Sequence, residues 1–466
     1  MENLGKRSVV GIEDALNTIL QKSLKTEGSI ENKIQSLVIG FCVNQTESSN
    51  VILSAESLVE VVRRCSVCGP ENNEGDEAGI GTNLTLVSAL SALSKLAKKT
   101  PDKVLSSLMS VFTFMGRGLL PRADDRYSFY AIQETIKCVV PALLRKSRDH
   151  IYTIVLTFVG ATPHVPVHRR GTVFESLIVT CGKSETLHIV LLALSVHHVM
   201  VSKDENIQDP SDFSELMHSL ISRFSVREVI DATVRIAEYM TELKFEYKKE
   251  ELRQSKLLDP EMTSPDITNL HFYLALFINR LYSSQDFLHG QLAMVTEEEE
   301  MNLNESYGSL LQYLLSYTNS ARSNRALFSK ANSCIERVLS LLPPIEFAQC
   351  ISNLIRSAAN EKQEWQLIQA LEMLCARLKN QEVQENAELP EYEVDLMSKI
   401  LDDIGFVIKT VKLVGPLNLA MKAVKLVLKT CSVLLQNDKA IHRLVKTLAQ
   451  EKDYYVADLY DAWHSP

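Results

Sequence analysis

The chain is poor in the residues that make tight turns. Its 466 residues hold 17 glycines and 14 prolines, roughly half of average usage, and neither Asn-Gly nor Asp-Gly occurs. Those pairs mark two-residue hairpins. Their absence argues against a large sheet protein and favours long helices with short connections. An excess of positive charge is missing too: 49 Lys and Arg against 58 Asp and Glu leave a net charge of −9. A domain that grips phosphate over its whole surface carries the opposite sign, so nucleic-acid contact would need a local basic surface. No uninterrupted apolar run reaches the roughly 20 residues of a membrane span. The longest, Leu187 to Val201, contains His188, His197 and His198 and reads as a buried helix. The segment Met1 to Asp14 has no apolar leader core, so no signal peptide is expected. The nine cysteines, scattered from Cys42 to Cys431, are expected to stay reduced.

What is present is helical spacing. Ile132, Ile136, Val139, Val140 and Leu143 form one stripe, and Leu367, Leu371, Leu374 and Leu378 form another, with Ile368 beside it. Val104, Leu108, Val111 and Phe112 repeat the pattern. Helix starts carry their own chemistry. Thr100-Pro101-Asp102 and Ser264-Pro265-Asp266 each place a capping hydroxyl, a proline of the first turn and a carboxylate near the positive helix end. Pro343-Pro344 separates a helix ending at Leu342 from one starting near Ile345.

Roughly twenty helices in hairpin-like pairs are expected, recurring at a loose ~35–45 residues, the range of HEAT-type units. So many amphipathic helices exceed what one compact core accommodates. An open row of pairs, each sealing its stripe against its neighbours, solves this. The expected fold class is therefore all-α, a HEAT-like helical-repeat solenoid of the armadillo-type superhelical kind. Polar stretches suggest the divisions: helical repeats over 1–68, a disordered acidic and glycine-rich loop over 69–83, central repeats over 84–246, a polar linker over 247–266, repeats over 267–380, a polar loop over 381–391 and basic helical repeats over 392–466. The stretch 203–213 is polar as well.

Motifs for chemistry fail one by one. Cys65-Ser-Val-Cys68 is a lone pair without the second pair a zinc site needs. His164 and His168 have the spacing of a helical ligand pair, but Pro163 and Pro166 break the helix. Gly182-Lys183-Ser184 ends like a phosphate loop, yet Leu177 stands where that loop needs glycine. Glu297–Glu300 is a solvated acidic run or a helix start. No cofactor, metal or catalytic residue is expected. The strongest local feature is basic: Lys409, Lys412, Lys422, Lys425, Lys429, Lys439, Arg443 and Lys446 face only Asp438 between Phe406 and Lys446. Lys422, Lys425 and Lys429 share a helix face opposite Leu419, Val424, Leu426 and Leu428. That arrangement fits either an ordinary amphipathic repeat helix or a stripe that contacts phosphates or acids. Arg169-Arg170, beside Arg145, Lys146 and Arg148, is a smaller candidate of the same kind.

Several blocks resemble a known family. Val111-Phe-Thr-Phe-Met-Gly116, Asp124-Asp125, Tyr127-Ser-Phe129 and Val139-Val-Pro-Ala-Leu143 are followed by Pro163-His-Val-Pro-Val-His-Arg-Arg170. In this order they look like blocks of the large HEAT-repeat family of the small-subunit processome. A weaker echo runs through His271-Phe272 and Leu341-Leu-Pro343. The resemblance implies a non-catalytic nucleolar scaffold in the nucleus. It would support transcription-linked pre-rRNA processing towards small-subunit rRNA. Its partners would be other processome proteins, a box C/D small nucleolar ribonucleoprotein and, through a local basic surface, pre-rRNA. No membrane or small-molecule substrate is implied. Members of that family are several times longer, so the expectation is an internal part of such a chain or a short relative. Composition and periodicity alone fit equally a general helical-repeat adaptor for protein or peptide partners, of the transport-receptor or signalling kind.

Overall fold

The computed structural model describes residues 10–25, 29–44, 53–67, 76–99, 126–202, 211–284, 297–342, 344–360, 363–380, 391–411, 413–430 and 443. Among the described residues there are eighteen α-helices and no strand, so the fold is all-α helical repeat. The chain divides into two compact units. The first is Met1–Ile236 with Leu243–Leu274, and the second is Ala237–Glu242 with Ala275–Pro466.

In the first unit the helices are α1 (Val10–Ser23), α2 (Ser29–Asn44), α3 (Ala55–Val67), α4 (Asp76–Lys99), α5 (Arg126–Lys146), α6 (His150–Gly160), α7 (Val167–Cys181), α8 (Lys183–Val201) and α9 (Ser211–Ile221). The first part of α10 (Val226–Glu242), the short α11 (Lys249–Gln254) and the first part of α12 (Ser264–Leu281) complete it. Packing is between neighbours and next-neighbours: α5 lies on α7 and α7 on α9, while α6 lies on α8. This is the two-layer habit of stacked helix pairs, in which each pair buries its apolar stripe only against the pairs beside it. Helix α8 is the one described helix long and apolar enough to cross a membrane, but residues 186–196 are nearly all buried against its neighbours, so it serves as a core helix. His197 and His198 at its end are both half-buried.

Two glycines in this unit have a conformational reason. Gly182 joins α7 to α8 with φ of 103°, a backbone that side chains with a Cβ resist. A Cβ at Gly171 would lie 3.0 Å from Nε of Arg223, whose guanidinium crosses α7 there to reach Glu175 at 2.8 Å.

The second unit contains the ends of α10 and α12 and then α13 (Glu297–Ser320), α14 (Arg325–Leu341), α15 (Pro344–Asn360), α16 (Glu364–Asn380), α17 (Glu391–Thr410) and α18 (Val414–Thr430). Here α15 packs on α17 and α16 on α18, again two layers. Helices α14 and α16 run parallel in constant register: Phe328 meets Trp365, Asn332 meets Gln369 and Ser340 meets Arg377, each pair 37 residues apart. The expected repeat period is visible in that offset. The stripe Leu367, Leu371, Leu374 and Leu378 is buried, as are Ile136, Val139 and Val140 of the other.

The structure adds detail to two of the polar stretches and to one helix start. The acidic, glycine-rich stretch 69–83 is helical from Asp76 onward, because α4 begins there; 69–75 lie outside the described residues. The stretch 247–266, read from its composition as a polar linker, belongs to the first unit. It carries α11, buries Leu252, Leu257, Leu258 and Met262, and is tied to α6 by Lys256 Nζ at 2.8 Å from Asp149. Its apolar residues are too few for a stripe yet enough to seat the segment on its neighbours. The cap of α12 is Thr263, one residue before the serine expected in that role. Its N–H donates to Asp266 Oδ2 at 2.6 Å and its hydroxyl does so at 2.5 Å. Asp266→Ala should cost about 1 kcal/mol, read as a lower midpoint in urea unfolding followed by circular dichroism; an unchanged midpoint would show that the cap contributes nothing. The stretch 381–390, residues 203–210, and the Thr100-Pro101-Asp102 start lie outside the described residues.

Candidate interaction surface

Helix α18 buries Leu417, Ala420, Ala423, Val424 and Val427. The apolar face is therefore centred on these residues, with Leu419, Leu426 and Leu428 only half-buried at its edges. The remaining face exposes Lys422, Lys425 and Lys429, and Lys409 is exposed at the end of α17. None of these four makes an ion pair among the described residues. Their ammonium groups are thus available to an outside anion. Burial raises the Cys375 thiol of α16 and Glu372 adds to that shift, while Lys422 of α18 and Lys379 of α16 oppose it. Lys379 was not singled out from the sequence; its place beside α18 depends on the helix register, which no local pattern carries.

Of the other expected members of the surface, one is described and is paired. Arg443 pairs with Asp402 at 3.0 Å. Lys412, Lys439 and Lys446 lie outside the described residues. The smaller cluster is not a shared surface. Arg170 is buried and donates from Nε to the Val165 carbonyl at 2.9 Å. Arg169 is half-buried, Arg148 pairs with Glu185, and Arg145 reaches the carbonyl of Pro141 at 3.4 Å. The Lys146 side chain lies outside the described residues. The physical reason is the loop geometry of Pro163–Arg170. A one-turn helix at Thr162–His164 and an extended Val165 leave a carbonyl that the start of α7 must satisfy, and Arg170 satisfies it. His168 is exposed on α7. No group of three or more His, Cys, Asp or Glu among the described residues is placed to hold a metal ion.

The remaining motifs are structural. Lys183 pairs with Glu228 at 3.1 Å and lies over the Phe224 ring, so Gly182-Lys183 is a helix joint. Cys65 is buried at the end of α3, while Cys68 lies outside the described residues. Burial pushes the Cys181 and Cys334 thiols up to about 12, far from the thiolate a nucleophile needs. Of the blocks that carry the family resemblance, Val111–Gly116 and Asp124–Asp125 lie outside the described residues. Val139–Leu143 lies within α5, and Pro163–Arg170 forms the α6–α7 turn.

The second unit also holds two clefts. One of about 500 Å³ lies among α14, α15 and α16, where Arg377 donates to the carbonyls of Ser340 and Leu342 at 2.9 and 3.1 Å and covers Phe347. The other, about 550 Å³, surrounds Trp365.

Comparison with known proteins shows what the chain is similar to. The family described as HEATR1-like, HEAT repeats, matches residues 146–342. HEAT repeat-containing protein 1 of Macaca fascicularis is 28% identical over 373 residues, covering 70% of this chain and 37% of the relative. U3 small nucleolar RNA-associated protein 10 of Pyricularia oryzae is 28% identical over 277 residues, 58% of this chain and 15% of the relative. The protein of the same name in Schizosaccharomyces pombe is 35% identical over 143 residues, 30% of this chain and 8% of the relative. The chain thus spans little more than a third of the length of these relatives at most. Over residues 146–342 the chain is thus similar to HEATR1-like HEAT repeats, in keeping with its all-α neighbour packing.

Proposed function

We propose that the chain is a non-catalytic scaffold of the small-subunit processome, working in the nucleolus on pre-rRNA that becomes small-subunit rRNA. The observation that carries this reading is the HEATR1-like match over residues 146–342, joined to relatives whose names associate them with U3 small nucleolar RNA. Its mechanism is geometric. Helix pairs that bury their apolar stripes against each other leave their outer faces to hold other particle proteins and a small nucleolar ribonucleoprotein in fixed relation. Pre-rRNA would be met at Lys409, Lys422, Lys425 and Lys429. Those side chains supply positive charge locally in a chain of net charge −9.

The test of the scaffold role is sedimentation. A tagged chain should co-sediment with U3 small nucleolar RNA in nucleolar extract; a chain that stays at the top of the gradient, free of that RNA, would overturn the reading. The lysine face has its own test. Reversing Lys422, Lys425 and Lys429 to Glu together should weaken RNA binding at least about tenfold. It should also flatten the dependence of log K on log salt by about 2, the share of three phosphate contacts on a single strand. An unchanged salt slope would remove the lysines from the contact.

A further inference from the structure

We propose that the cleft around Trp365 takes the base of an unpaired RNA nucleotide. The idea rests on the reading of the chain as a component of an RNA particle, and it adds a contact of another kind from that of the lysines, recognition of a base face. Trp365 stands half-buried on the first turn of α16. Phe328 of α14 braces it, with ring centroids 5.4 Å apart and planes tilted by 56°. The Arg322 guanidinium lies over the indole, 5.0 Å from its centroid. Arg322 is exposed on the one-turn helix Ala321–Ser323, directly before Asn324, whose side chain caps α14 by accepting from the N–H groups of Ala326 and Leu327. The indole is thus fixed by packing, whereas the guanidinium over it projects into solvent.

An aromatic ring and a guanidinium plane are the surfaces on which unpaired bases stack. Asn319, Gln363 and Gln366 line the same cleft. Side-chain amides both donate and accept, which suits the mixed edge of a base. Glu364 is the acid in the lining. It repels a phosphate on its side and leaves a neutral base as the part that enters. A double helix keeps its bases stacked and would have nothing to offer. A peptide anchor is less well served, because Trp365 and Ile368 are the apolar members of the lining and peptide grooves are built on broader apolar floors.

The experiment uses the full chain with Trp463→Phe, which leaves Trp365 as the one tryptophan of two. A twelve-residue oligouridylate should quench its emission saturably, and a twelve-base-pair RNA duplex should not. Arg322→Glu, an exposed change that leaves the fold intact by circular dichroism, should weaken binding of labelled oligouridylate about tenfold. Trp365→Ala should weaken it as much, within the range that stacking contributes per base. Binding of the labelled strand with no quenching would place the RNA elsewhere and overturn the proposal. Equal quenching by polyglutamate would assign the cleft to an acidic peptide and overturn it too, as would a failure of the strand to bind at all. If quenching persists while the tagged chain stays apart from U3 particles, the scaffold reading fails and the base site stands.

Discussion

Arg356→Ala should destabilise the second unit by about 3 kcal/mol, the scale expected when a buried charge loses its partner. For a unit of that size this is a fall of about 6–12 °C in its melting temperature. Asp403 of α17 is 0% exposed and accepts from Arg356 and from Ser352 of α15, which is itself buried. The Arg356 side chain is 53% exposed, so its own Coulomb attraction is screened and worth little as a surface pair. The cost arises on the other side, where a fully buried carboxylate would keep a single hydroxyl donor. Combining Arg356→Ala with Asp403→Asn removes that charge and should recover a good part of the loss. Thermal melts of both variants decide the matter. If Arg356→Ala melts within about 2 °C of the parent, the buried aspartate draws its stability from elsewhere.

That pair also shows where sequence reading stops. Asp402 and Asp403 are identical neighbours, and a charge count treats both as surface. One helical step of about 100° separates them: Asp402 turns to the solvent side and meets Arg443, whereas Asp403 falls in the buried stripe with Ile400, Ile404 and Val407. A signal did exist, since Asp403 lies three residues after one stripe position and four before another. The partner could not be read, because Arg356 is 47 residues away and only the register of α15 against α17 brings them together. The same holds for Arg223, 48 residues from Glu175, for the Trp365 cleft, assembled from two helices and a turn, and for Lys379. Arg170 failed for the opposite reason: a local run of basic residues looks like a surface until a loop carbonyl claims one of them. What was legible was periodic or local. The apolar stripes, the helix break at Pro344, the α6–α7 turn at Pro163–Arg170 and the lysine face of α18 all depend on spacing within one element. Of the blocks that carry the resemblance, Pro163–Arg170 falls within the matched residues 146–342.

Acidification should loosen the first unit, and two histidines set the window. Burial depresses His271 from an ordinary 6.5 to about 4; hydrogen bonding to the backbone at Lys244 and Leu243 works weakly in the other direction. Its ring is fully buried and stacked on Phe245 at 4.3 Å. Burial likewise holds His188 of α8 at about 4, with the positive Arg235 adding to the effect. His197 is lowered by burial against the opposing charge of Asp259. In each case the unfolded chain takes up a proton at a higher pH than the folded chain. Stability is therefore full above about pH 6.5 and is lost as pH falls from there towards 4, where the folded state begins to bind the proton as well. A shift of this size corresponds to about 3 kcal/mol for each of His188 and His271. Hydrogen exchange of the 186–196 backbone, compared at pH 7 and pH 5 after correction for the intrinsic rate, should show protection falling by at least tenfold. His271→Phe keeps a ring against Phe245 and removes one titrating group. It should roughly halve that pH dependence even if it lowers stability at pH 7 through the lost backbone contacts. Protection equal at the two pH values in the parent chain would mean that neither imidazole is held neutral by the fold, and a slope untouched by His271→Phe would transfer the effect to His188 and His197.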